Sequence, residues 1–162
     1  MSDLPWIIEA KKHLGLAEVP GKDNNPTITN WLIELKYGWR DDATPWCGTF
    51  VAHCMNEVGV DTPIVGARAR AWLDWGLPLM SPVVGCVVVY ERKGGGHVGF
   101  VVGKDQKGNL MTLGGNQGDR VSVLPFEQSR ALGYRWPSNY PIIPTEPLPL
   151  VSSDGFVSKK EA

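Results

Sequence analysis

Residues 83–115 read VVGCVVVYERKGGGHVGFVVGKDQKGNLMTLGG, three apolar, β-branched runs separated by RKGGG and KDQKG. Runs of this composition between Gly-rich and polar turns predict strands of an antiparallel sheet. DRVSVLPF (119–126) and YRWP (134–137) predict further short strands. Upstream the period changes from sheet to helix. WIIEAKKHLG follows Asp3, Leu4 and Pro5 and closes at Gly15, so a first helix is expected over residues 4–14. Pro26 to Tyr37 begins after an Asn25 cap and sets Ile28, Trp31, Leu32 and Leu35 on one face, giving a second helix. For a third, Thr44 is a capping residue, Pro45 fits the first helical position, and Trp46, Phe50, Val51, Cys54 and Val58 form an apolar stripe ending at Gly59. GARARAWLDWG (66–76) predicts a weaker helical stretch. Helices first and sheet afterwards define an α+β domain over residues 1–140. Residues 141–162 have the Pro and Ser content of a flexible tail.

Composition agrees with one compact domain. The chain has 162 residues, 43% apolar and 20% charged, enough to bury a core and too apolar for disorder. Net charge is −1 with no long run of Lys or Arg, which argues against nucleic acid as a partner. The N-terminus carries acid before its short apolar stretch and Lys11 and Lys12 after it, the wrong order for a secretory signal. No apolar stretch approaches the roughly 20 residues that span a bilayer. The expectation is a monomer made in the cytoplasm without stable membrane insertion.

Three cysteines, Cys47, Cys54 and Cys86, are an odd number without a Cys-x-x-Cys pair, and His13, His53 and His97 are scattered, so neither a disulfide framework nor a zinc spacing is visible. Cys47 is the thiol in a reactive position. It falls in the first turn of the third helix, where the helix dipole favours a thiolate, and Gly48 leaves room above it. The plainer alternative is a small buried core residue. Cys54, two turns further on the same apolar stripe, and Cys86, inside a strand, read as structural.

A cysteine nucleophile needs a base, and His97, at the start of a strand after Gly94, Gly95 and Gly96, is the leading candidate. A surface histidine beside a Gly turn is the alternative. If KDQKG is the turn, Gly103 pairs with about Asn109 and His97 falls opposite position 115, which brings up Asn116 as the residue that orients the imidazole. Asn116 as a simple turn residue stays open, and Gln117 and Asp119 are the other candidates.

PWCGTFV at a helix start, GGGHVGFVVG at a strand start and LGGNQGDRVSV on the next strand together resemble the CHAP family of cysteine, histidine-dependent amidohydrolases and peptidases, in particular the compact lysins of phages and prophages. The resemblance covers residues 4–137. It implies a papain-like fold with the nucleophile helix packed on the antiparallel sheet, Cys47 as nucleophile, His97 as general base and acid, and Asn116 as orienter. Many members carry a glutamate two residues before that Asn, where this chain has Gly114. Some relatives bind calcium through aspartates near the cysteine. Asp41 and Asp42 alone cannot supply six to eight oxygens, so no metal and no other cofactor is expected.

The implied reaction is hydrolysis of an amide in the peptide part of peptidoglycan through a thioester, with Trp46, Trp72, Trp75, Trp136 and Gln117 as substrate contacts. Core packing is the alternative for each tryptophan and is favoured for at least half of them. The expected role is an endolysin that reaches the wall after export or membrane permeabilisation. Competing readings are an antibacterial effector or tail-associated muralytic enzyme of the same chemistry, a non-catalytic wall-binding module, and a metal-binding structural domain.

Overall fold

The computed structural model describes residues 4–17, 25–36, 46–93, 95–140 and 142–152. Among the described residues three α-helices come first: α1 (Pro5–Lys11), α2 (Pro26–Glu34) and α3 (Cys47–Glu57). Six strands follow: β1 (Leu77–Leu79), β2 (Val87–Arg92), β3 (Gly95–Lys104), β4 (Leu110–Gly114), β5 (Ser122–Phe126) and β6 (Ala131–Trp136). They form one antiparallel sheet in the order β1-β6-β2-β3-β4-β5, so the α+β class and the helices-then-sheet order are as expected.

Local chemistry explains the helix boundaries. Asn25 caps α2 by accepting from the Thr27 N–H at 2.9 Å, and Pro26 follows at the first helical position. Helix α3 begins at Cys47, with Trp46 at the cap position without a side-chain cap bond, and the expected Thr44 cap and Pro45 lie outside the described residues. Residues 69–74 wind as a 3₁₀ helix, Ala69–Asp74, in place of an α-helix. The Trp72 indole N–H donates to the Gly66 carbonyl at 2.9 Å, which ties this short segment to the turn before it. Strand β1 was not anticipated. It contains Pro78, which cannot donate to a ladder and is tolerated because β1 is an edge strand.

Alternation along β3 decides what faces what. Val98 and Phe100, paired with Val89 and Val87, turn toward α3, where the Phe50 ring stands 6.5 Å from Phe100. His97 and Gly99 occupy the opposite face. The core between α3 and the sheet holds Phe50, Val51, Val87, Val89, Val98, Phe100 and Leu113, all fully buried.

The tail expectation is corrected for residues 149–151. The Lys104 N–H donates to Pro149, the Val151 N–H donates to Lys104, and Val151 is buried against Gly103. Pro content made this stretch read as free chain, but one β-bridge and one apolar side chain are enough to hold it on β3. Val151→Asp buries a charge there, and loss of amide-exchange protection at residue 151, with protection of β3 around Val98 retained, is the expected result. Unchanged protection at 151 would contradict the docking.

Candidate active site

Cys47 stands at the first position of α3, and its sulfur meets three main-chain N–H groups: its own, that of Gly48 and that of Val98 on β3. The helix start and the strand that carries His97 therefore join through the thiol. Gly48 is needed for a different reason from the one expected. A Cβ there would lie 2.3 Å from the Gly66 carbonyl oxygen and 2.5 Å from that of Ala67, so the backbone of 66–67 occupies the space above it. That backbone forms one wall of a cleft of about 590 Å³ lined by Cys47, Ala67, Arg68, Ala69, Arg70, Arg92, Lys93, Gly95 and Gly96. Four cations and no carboxylate line it among the described residues.

The three thiols differ in setting. Burial pushes Cys54 well above the ordinary thiol value and Cys86 to about 12. Burial also raises Cys47, against the pull of the Val98, Gly48 and Cys47 N–H groups and the Arg92 charge. The expectation of a thiol lowered by its helix is thus reversed: desolvation outweighs the dipole in the free protein. Cys47 is nonetheless the one thiol that opens on the cleft.

His97 is buried at 4% exposure, two residues inside β3 rather than at a strand mouth, and Gly95 and Gly96 line the cleft beside it. Gly94 lies outside the described residues. The imidazole is parallel to Phe126 at 5.2 Å, and Phe126 is parallel to Tyr90 at 4.6 Å. Its Nε2 lies 2.9 Å from the Gln117 side-chain oxygen. The Gln117 amide nitrogen donates to the carbonyls of Thr112 (3.0 Å) and Ser122 (2.8 Å), which uses both of its hydrogens and leaves the oxygen toward the histidine. Neutral His97 must then carry its proton on Nε2, and Nδ1 is the basic nitrogen.

The orienting contact is made by Gln117 and not by Asn116. The β3–β4 register, shifted by an irregularity between Val101 and Gly103, runs Phe100 to Leu113, and the β4–β5 pairing ends at Gly114. Beyond it Asn116 adopts φ +60°, half-buried, as a turn residue, and the next side chain swings back under the strand. Gly114 makes this possible, because a Cβ there would lie 2.4 Å from the Gln117 side-chain oxygen. The absence of a larger residue at 114 was the available signal. Asp119 also takes a positive φ, +61°, and is exposed.

Core packing, favoured for at least half of the tryptophans, holds for three of the four named as groove contacts. Trp46, Trp72 and Trp136 are buried to 1% exposure or less and pack in the core, and Gln117 is buried and bound to His97, Thr112 and Ser122. Trp75 is half-buried beside Asp61, Ser138 and Asn139, in a separate small pocket. The cleft-lining cations missed in the sequence are Arg68, Arg70, Arg92 and Lys93, which come from two separate segments of the chain and form no run.

Residues 39–116 match the family model described as the CHAP domain. The matched segment contains Cys47 and His97, and a match to the CHAP domain suggests hydrolysis of peptidoglycan as the general activity. No curated protein matches the chain. The α+β architecture, with α3 on the antiparallel sheet, agrees with the papain-like fold of CHAP domains.

Burial lowers His97 from the ordinary 6.5 to about 4, against the Gln117 hydrogen bond, which raises it. Between those two values the unfolded chain holds a proton that the folded chain does not, so stability is full above 6.5 and falls as pH drops toward 4. The loss from this group amounts to about 3 kcal/mol. Urea unfolding at pH 7 and pH 4.5 is expected to show a smaller acid loss in His97→Gln than in the wild type; equal losses would contradict the buried neutral imidazole.

Proposed function

We propose that the chain is an endolysin-type peptidoglycan hydrolase that cleaves an amide in the wall peptide, with Cys47 as nucleophile, His97 as general base and acid, and Gln117 as the residue that positions His97. The observation that carries this reading is the thiol at the start of α3, opening on a cationic cleft and touching the strand whose histidine is held in one tautomer by Gln117. The lysin role rests on the resemblance to compact phage and prophage lysins, and the wall is reached after export or membrane permeabilisation.

The Cys47 thiol gives its proton to His97 Nδ1 through one water as the sulfur attacks the substrate carbonyl, because alternation along β3 turns His97 to the face away from α3. In the free protein the sulfur's hydrogen bonds are to main-chain N–H groups and the His97 bond is to Gln117, and such catalytic contacts commonly tighten only when substrate is bound. The N–H groups at the helix start face the developing oxyanion. Nδ1 then protonates the leaving amine, the C–N bond breaks and a thioester remains. Water, deprotonated by the same nitrogen, attacks the thioester carbonyl, the C–S bond breaks, and the carboxylate product leaves a regenerated thiol. The cleft fits an anionic substrate, and wall stem peptides carry free carboxylates that Arg68, Arg92 and Lys93 attract.

Cys47→Ala is expected to abolish release of fragments from purified sacculi while its thermal unfolding stays cooperative; retained turnover would sink the assignment. Gln117→Ala should lower kcat roughly 10²-fold, with Asn116→Ala close to wild type. The reverse order would restore Asn116 to the orienting role. Arg92→Gln combined with Lys93→Gln should raise KM, leave kcat near its wild-type value, and weaken the salt dependence of kcat/KM. An unchanged salt slope would remove these cations from substrate attraction.

A further inference from the structure

A second cluster of titratable side chains lies six residues along α3 from Cys47. Glu9 on α1 and His13 in the turn after it stand four residues apart and face His53 of α3. A single carboxylate oxygen, Glu9 Oε2, lies 2.9 Å from His13 Nε2 and 3.1 Å from His53 Nε2, and the three atoms all fall within 4.8 Å of one another. Hydrogen bonding alone satisfies this arrangement poorly. Both Nε2 atoms must then carry protons, and neutral His53 is left with a bare Nδ1. That atom is buried with no hydrogen-bond partner among the described residues, and the Glu34 carboxylate stands 3.8 Å away. The buried Nδ1 of neutral His53 would then face another acceptor, the carboxylate of the half-exposed Glu34 side chain.

We propose that Glu9, His13 and His53 bind one divalent cation of the zinc type. A cation at the point where the three atoms converge takes the Nε2 lone pairs of both imidazoles and the Glu9 oxygen. The His53 proton then sits on Nδ1 and points at Glu34, the arrangement in which a carboxylate supports a metal-bound imidazole. Two nitrogens and one carboxylate oxygen suit zinc, with water in the fourth position. The side chains of His13 and Glu9 are 20% and 14% exposed, which leaves a way in for the ion. Trp31 stacks on His53 at 4.6 Å and meets His13 edge-on at 5.1 Å, so it holds both rings in place. None of these residues lines the Cys47 cleft. The ion ties α1 to the helix that carries the thiol and takes no part in the reaction. The site is independent of the proposed hydrolysis.

The metal-free 162-residue chain, titrated with zinc against a chromophoric chelator, is expected to bind one ion, to melt at higher temperature with zinc, and to change Trp fluorescence. His13→Ala and Glu9→Gln should bind at least about tenfold more weakly, and Glu34→Gln roughly tenfold more weakly. Cys47→Ala should bind like the wild type, which separates this site from a zinc ion held by the catalytic thiol. No stoichiometric binding by the wild type, or binding lost in Cys47→Ala and kept in His13→Ala, would overturn the proposal.

Discussion

The Gln117 side-chain amide is pinned by two main-chain carbonyls, those of Thr112 and Ser122, and the rest of the site follows from that. An amide whose nitrogen is fully used has one way to present its oxygen, so His97 receives an acceptor at Nε2 and keeps Nδ1 free. The constraint reaches into the sheet: Gly114 leaves the space that Gln117 fills, Thr112 also meets the Tyr90 hydroxyl at 2.7 Å, and Phe126 lies parallel to both Tyr90 and His97. The imidazole is thus set by β2, β4 and β5 as much as by its own strand.

Burial acts in two directions here. It keeps both members of the proposed pair neutral in the free protein, the thiol above its usual value and the imidazole below it. The same dry setting strengthens the N–H groups around the sulfur once charge develops, because little solvent competes with them. Four cations around the cleft give it a positive field, and Arg92 also favours the thiolate.

The fold was legible because its signals are local: the Asn25 cap with Pro26, the stripe of α3, and the β-branched runs bounded by KDQKG. The thiol was legible for the same reason, since helix position separates Cys47 from Cys54 and Cys86. Its titration was not, because desolvation depends on everything packed around the sulfur. Asn116 and Gln117 are neighbours, and a one-residue shift in the β3–β4 register together with the turn after Gly114 decided between them. Trp46, Trp72 and Trp136 went to the core since aromatic composition alone cannot tell groove from interior, whereas the cleft cations and the cluster of Glu9, His13 and His53 come from segments that only tertiary packing brings together.

The most direct test of the account is the site of acylation. When the protein is mixed with wall stem peptide, quenched in acid during turnover and digested, mass spectrometry should find the acyl adduct as a thioester on the peptide containing Cys47, with Cys54 and Cys86 unmodified. An adduct on another residue, or turnover with no acyl-enzyme at any cysteine, would contradict it.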